Sequence, residues 1–201
     1  EGIDGIFQEK YFFSAPLARI INSKLIMEKG LEINSEMLTL SSQGVGSFDK
    51  MGNITLEGPG TTINYLGSEM QAEKLIIEDE NIFLYGDSFF ENDFVSFSSK
   101  GPIYYWNYEE NDVLSAKSLD SLTYFMNDKK PLSVKGKDFF MYLYGSYESL
   151  IRVSNFSLTL DNYLFFSEKV SIKKLEDSLH IRSIEGEMEI KNDKNSIYTK
   201  E

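Results

Sequence analysis

Met70-Gln71-Ala72-Glu73-Lys74-Leu75-Ile76-Ile77-Glu78-Asp79-Glu80-Asn81-Ile82-Phe83-Leu84-Tyr85-Gly86-Asp87 reads as two short strands around an acidic turn. Looser versions of this unit recur along the chain. Strand–turn–strand units bury apolar surface by stacking on one another, so the repeat predicts the architecture before any reactive residue is considered. Period-2 alternation extends outward from it, through Asn53-Ile54-Thr55-Leu56-Glu57, Thr61-Thr62-Ile63-Asn64-Tyr65 and Phe156-Ser157-Leu158-Thr159-Leu160. Such alternation marks half-buried antiparallel strands. Asp138-Phe139-Phe140-Met141-Tyr142-Leu143-Tyr144 is apolar on both faces, as expected of a strand packed on two sides or at an interface.

Turn residues punctuate these runs at Lys29-Gly30, Lys50-Met51-Gly52-Asn53, Gly58-Pro59-Gly60, Gly86-Asp87, Lys100-Gly101-Pro102 and Asn127-Asp128-Lys129-Lys130-Pro131. Short strands at this spacing predict an all-β sandwich, barrel or roll. Pro16, Pro59, Pro102 and Pro131 fall at the ends of apolar runs, where a missing N–H does least harm. No segment carries a capped 3.6-residue stripe. At most one short helix is expected, over Gly2 to Lys10 or Ser115 to Leu122. No composition shift marks a boundary, so a single domain is expected over residues 1–190, followed by a polar, frayed tail over 191–201.

The 201 residues are 41% apolar and 26% charged, the composition of a folded chain. A formal charge of −12 argues against nucleic acid, which needs clustered Lys and Arg, and against simple attachment to an anionic membrane surface. The absence of cysteine removes disulfides, thiolate metal sites and a thiol nucleophile. No apolar run approaches the length of a membrane-spanning helix. The chain opens on Glu1, and any signal peptide or membrane anchor is expected upstream of it.

Reactive constellations are missing. His180 is the sole histidine, which leaves no partner for a metal cluster or a Ser–His pair. No nucleophile elbow or phosphate-binding glycine loop occurs. Glu78-Asp79-Glu80 and Glu109-Glu110-Asn111-Asp112 could bind calcium or supply an acid–base pair. Both fall where hairpin turns are expected, so solvated corners are the simpler reading. Tyr104, Tyr105, Trp106 and Tyr108 form an aromatic cluster suited to cross-strand packing, a sugar platform or an interface. The expectation is a protein without catalytic residues and without a cofactor.

An alanine-centred pattern appears in Phe13-Ser14-Ala15-Pro16-Leu17-Ala18-Arg19-Ile20, in Met70-Gln71-Ala72-Glu73-Lys74-Leu75-Ile76 and in Leu114-Ser115-Ala116-Lys117-Ser118-Leu119. With Gly52-Asn53-Ile54-Thr55-Leu56, the acidic turn and Ile82-Phe83-Leu84-Tyr85-Gly86, it resembles the OstA-like domains of the LptA/LptC family, which carry lipopolysaccharide across the bacterial periplasm. Phe13 to Arg19 and Gly46-Ser47-Phe48-Asp49 look more like the LptC branch. The resemblance spans Phe12 to Asp87 and thins toward Ile190. The chain is longer than a simple LptA domain and richer in Tyr and Phe, and residues 120–137 fit the repeat poorly.

The resemblance implies a V-shaped antiparallel β-jellyroll with an apolar groove, a periplasmic location and no enzymatic activity. Implied partners are lipopolysaccharide or another amphipathic lipid, further OstA-like subunits joined by edge-strand pairing, and an inner-membrane transporter or outer-membrane partner. The groove would be lined by the alternating positions Ile54, Leu56, Ile63, Met70, Ala72, Ile76, Ile82, Leu84, Ile103, Tyr105, Leu114 and Ala116. Phe156, Leu158, Leu160, Leu164, Phe166, Val170 and Ile172 continue it later in the chain. The competing expectations are a surface-exposed binding protein or adhesin with a closed core, and a carbohydrate-active protein using Glu109 and Glu110.

Overall fold

In a computed structural model the chain is all-β, and its described residues contain no helix. The structure describes residues 2–93, 95–108, 111–124, 132–144, 148–160, 162–175, 178–191 and 196–199. Contacts divide the chain into two compact units, Glu1–Asn92 and Asp93–Glu201. No composition shift marks this division because both units are written in the same alternating strand pattern.

The first unit holds β1 (Ile3–Phe7), β2 (Tyr11–Ala15), β3 (Leu17–Ile21), β4 (Lys24–Glu28), β5 (Leu31–Asn34), β6 (Leu38–Ser42) and β7 (Val45–Phe48). The long strands β8 (Ile54–Tyr65) and β9 (Ser68–Glu78) follow, then β10 (Asn81–Tyr85) and β11 (Ser88–Glu91). The opening segment, a candidate helix in the sequence, is strand β1, paired along its length with β2.

β8 and β9 each serve two sheets. Residues 54–57 of β8 pair with β7 and residues 62–65 with β6. Residues 74–78 of β9 pair with β10, and residues 69–71 with β11. One leaf therefore runs β3-β4-β7-β8-β9-β10, and the other runs β1-β2-β5-β6-β8-β9-β11. The change of leaf occurs where the β8–β9 register shifts between Glu57 and Thr61. An irregularity there bends the strands and reverses which face each side chain takes. Buried residues accordingly run Ile54, Leu56, then Thr61, Ile63 along β8, and Met70, Ala72, then Leu75, Ile77 along β9.

The leaves close on one another around Phe48. Its ring lies 4.5 Å from Phe7, 5.5 Å from Tyr11 and 6.5 Å from Phe13, which joins β7 of one leaf to β1 and β2 of the other. Close apposition of backbones at the bend is permitted by glycine. A Cβ on Gly44 would overlap the Glu57 carbonyl oxygen and lie 2.8 Å from Gly58 Cα.

The second unit repeats the device. It holds β12 (Val95–Ser99), β13 (Ile103–Tyr108), β14 (Asn111–Tyr124), β15 (Leu132–Tyr144), β16 (Glu148–Leu160), β17 (Tyr163–Leu175), β18 (Ser178–Glu185), β19 (Met188–Lys191) and β20 (Ser196–Thr199). The candidate helix over Ser115 to Leu122 lies inside β14. β14 pairs with β13 over residues 111–116 and with β12 over residues 121–124. β17 pairs with β18 over residues 169–175 and with β19 over residues 164–166. Register shifts interrupt the β14–β15, β15–β16 and β17–β18 ladders, at Leu119/Leu122, Lys135/Lys137/Phe140 and Lys169/Val170. The polar C-terminal stretch carries a strand, since β20 pairs with β19 from Met188↔Thr199 to Lys191↔Ser196.

Candidate functional site

The hairpin from Met70 to Tyr85 forms as the sequence predicts. β9 and β10 pair with Ile82 opposite Ile77 and Leu84 opposite Leu75, across a two-residue turn at Asp79 and Glu80. Both turn residues have positive φ, 47° and 65°, as the tight turn of a twisted hairpin requires. The three turn acids are exposed, and among the described residues no group of His, Cys, Asp and Glu could hold a metal ion. Glu109 and Glu110 lie outside the described residues, as does the turn over Asn127–Pro131.

The three alanines of the repeated pattern are all buried, at 2% exposure for Ala15, 8% for Ala72 and 5% for Ala116. Ala72 and Ala116 occupy matching places beside the bend of their unit: Ala72 lies opposite Thr61, and Ala116 opposite Phe139. Hydroxyl pairs brace the same places. Ser42 meets Thr61 at 2.9 Å and Ser41 meets Thr62 at 2.8 Å; Ser99 meets Ser118 at 3.0 Å and Ser98 meets Ser121 at 2.8 Å. The repeat thus encodes bends as well as strands, which its alanine spacing signals and its hydroxyls signal less openly.

Of the positions read as inward, Ile54, Leu56, Ile63, Met70, Ala72, Ile82 and Leu84 are buried in the first unit. Ile103, Tyr105, Leu114, Ala116, Phe156, Leu158, Val170 and Ile172 are buried in the second. Three depart from the expectation. Ile76 is half-buried on the opposite face from Leu75 and Ile77, because β9 changes face between Ala72 and Leu75. Leu164 and Phe166 also face outward. The hairpin sets Leu160 opposite Tyr163 and Leu158 opposite Phe165, so Tyr163 and Phe165 continue the inward row. Leu160 is inward as read but 44% exposed.

That exposure locates where the interior of the second unit is uncovered. Along the inward face Phe156 and Leu158 are sealed, Phe165 is half-buried, and Leu160 and Tyr163 are 44% and 47% exposed. Ile190, opposite Phe165 on β19, and Ile181, opposite Ile172 on β18, are also half-buried. The first unit has a counterpart at its outer strands. Ile3 and Ile20 share the inward face with Ala15 and Leu25 and are 41% and 77% exposed. β1 and β3 each pair on one side among the strands of this unit, leaving a row of backbone donors and acceptors on the other.

A separate opening lies at one end of the first unit, where the turns β1–β2, β5–β6, β7–β8 and β9–β10 converge. It is a cavity of about 200 Å³ with Tyr11, Leu38, Ile77 and Ile82 in its wall. The β7–β8 loop at its rim is built by Asp49. Its Oδ1 accepts the Met51 and Asn53 backbone N–H groups at 2.8 and 3.0 Å, and its Oδ2 accepts the Asn53 side-chain amide at 3.0 Å. Desolvation pushes the Asp49 carboxyl up, but these hydrogen bonds and nearby Lys24 outweigh it and hold the group below the ordinary 3.8.

The aromatic cluster divides between two faces. Tyr105 is buried, with its hydroxyl donating to Asp112 Oδ1 at 2.6 Å. Trp106 lies on the outer face, 6.0 Å from Phe140, which in turn meets Tyr142 edge-on at 4.8 Å. His180 is exposed. No helix among the described residues is long and apolar enough to cross a membrane. Comparison with protein-family models, curated proteins and solved structures yields no match.

Proposed function

We propose that this protein is a periplasmic lipid-holding scaffold of the OstA-like kind. It passes lipopolysaccharide or a similar amphipathic lipid toward the outer membrane without chemical change. The observation that carries the reading is the inward apolar row that runs from sealed Phe156 and Leu158 out to exposed Leu160 and Tyr163. Water cannot satisfy such a strip, and acyl chains gain about 0.8 kcal/mol for each CH₂ they bury against it. The outer strands support the second half of the reading. β1 and β3, each paired on one side among the strands of their unit and carrying the exposed inward side chains Ile3 and Ile20, suit addition of another subunit's edge strand.

A closed-core binding protein is the second reading, and the Phe48 cluster favours it. The centre of the first unit is filled, with Phe48, Ile54, Leu56 and Ile63 all at 0% exposure. Leu160 and Leu164 separate the two readings. They are exposed almost equally, 44% and 43%, but face opposite sides of one hairpin. A photo-crosslinking side chain at Leu160 is expected to capture a lipid in cells, identified by mass spectrometry of the adduct, and the same group at Leu164 is not. Equal capture at both positions, or capture at Leu164 alone, refutes the lipid scaffold.

A further inference from the structure

The geometry of the cavity at the turn end of the first unit points to a second, smaller binding site, for one alkyl chain of a zwitterionic amphiphile. This rests on the proposed reading in taking an amphiphile as ligand. It goes beyond that reading by giving the first unit a guest of its own, one whose headgroup carries both signs.

Size limits the guest. About 200 Å³ exceeds the ~150 Å³ of an apolar cavity that takes benzene, and falls below the ~300 Å³ at which drug-sized ligand pockets begin. Space of this order suits the end of one chain and excludes a bundle of acyl chains. The wall suits it chemically. Tyr11, Leu38, Ile77 and Ile82 are 7%, 8%, 7% and 1% exposed, and they come from both leaves, so a guest here sits between the two sheets.

The rim carries a different signature. Met37 and Met51 line the cavity yet are 58% and 81% exposed. Neither is needed to seal the core, and their flexible thioethers mould to guests of varied shape. Leu66, 65% exposed, is tied to this rim by the hydrogen bond from its N–H to the Met37 carbonyl at 3.2 Å. Two exposed methionines around one opening form a lip that gains from being covered.

Charge then selects the headgroup. Lys10 lines the opening with its ammonium 5.2 Å from the Tyr11 ring centroid, while Asp79 and Glu80 line it from the β9–β10 turn. A purely anionic headgroup meets these two carboxylates on a chain of net charge −12, and a purely cationic one meets Lys10. A headgroup carrying both signs satisfies both, its phosphate toward Lys10 and its ammonium toward Asp79 and Glu80.

The probe is dodecylphosphocholine below its micelle concentration, titrated into full-length protein carrying ¹³C-methyl methionine. The Met37 and Met51 methyl signals, assigned through M37L and M51L, are expected to shift saturably while the other methionines stay put. Dodecyl sulfate and dodecyltrimethylammonium are expected to bind about tenfold more weakly, and K10E to weaken dodecylphosphocholine by a similar factor. Ile82→Trp fills the floor and should abolish the shifts; Met37→Glu, at an exposed position that leaves the fold intact, should weaken them several-fold. Absence of saturable shifts, equal affinity for all three detergents, or a response to phosphatidylcholine vesicles alone overturns the proposal. Met shifts retained without lipid capture at Leu160 refute the transfer reading and leave this site standing. Capture at Leu160 without Met shifts does the reverse.

Discussion

Gly44→Ala tests the bend that organises the first unit. The added methyl meets backbone on every near side: the Glu57 carbonyl oxygen, the Glu57 carbonyl carbon at 2.9 Å and Gly58 Cα at 2.8 Å. No side chain can swing aside, so either the irregular stretch of β8 or the β6–β7 turn must retreat. Retreat weakens the bonds that fix this turn, from Gly44 N–H to Ser42 Oγ at 3.1 Å, Gly30 N–H to the Gly44 carbonyl at 3.3 Å and Gln43 N–H to the Pro59 carbonyl at 3.1 Å. Overpacking costs about 1–3 kcal/mol and each lost hydrogen bond about 1 kcal/mol, while the stiffer unfolded chain returns up to about 1 kcal/mol. The net loss is about 3 kcal/mol, or roughly 12–24 °C in melting temperature for a unit of this size. Urea unfolding followed by far-UV circular dichroism measures it, and hydrogen exchange localises it to β7 and β8. Trp106 fluorescence follows the second unit separately. Gly67→Ala is the control: it has positive φ, 84°, but nothing within 4 Å, and should lose only about 1 kcal/mol. Equal losses for the two variants would refute the close-approach reasoning.

Phe48→Ala removes the ring that joins the two leaves and should cost about 3–5 kcal/mol by the same urea measurement. Thr61→Val leaves the Gly58 carbonyl and the Ser42 hydroxyl without the partner they meet at 2.7 and 2.9 Å, for a loss of about 2 kcal/mol. Because the folded Asp49 pKa lies below the ordinary 3.8, its contribution is fully present above that value and disappears as pH falls through the lowered one. Stability measured from about pH 5 to pH 2 should therefore fall less steeply in Asp49→Asn than in the parent. Replacing Asp79-Glu80 by Asn-Gly relieves two left-handed residues and should stabilise the hairpin by about 1 kcal/mol, seen as a higher urea midpoint.

The hairpin from Met70 to Tyr85 was legible because its alternation, its two-residue turn and its paired aliphatics agree locally. Most inward positions follow from the same period of two. The period misleads wherever a strand changes face: it puts Ile76 inward, but β9 reverses between Ala72 and Leu75, and no residue of β9 announces it. The cause sits across the ladder, at Gly58-Pro59-Gly60 in β8, which reads as an ordinary turn until its partner strand is known. Leu164 and Phe166 face outward for a simpler reason, since counting through the turn from Leu160 depends on its length. The cavity rimmed by Met37 and Met51 was not legible at all. Its walls come from four turns separated along the chain, and neither methionine belongs to an alternating run.

β8 and β9 belong to both leaves and fasten them together. The freedom left to the first unit is flexing about the irregular stretch near Gly44 and Gly58, which makes that stretch a hinge and each leaf a lever. From Thr61 beside the bend to Tyr65 at the end of β8 is four residue steps, about 14 Å at the usual rise, so a flex of roughly 5° moves that end by about 1.2 Å. The gape between the leaves is therefore set in part by the stiffness of a few backbone atoms at the bend, far from the strand ends that would part.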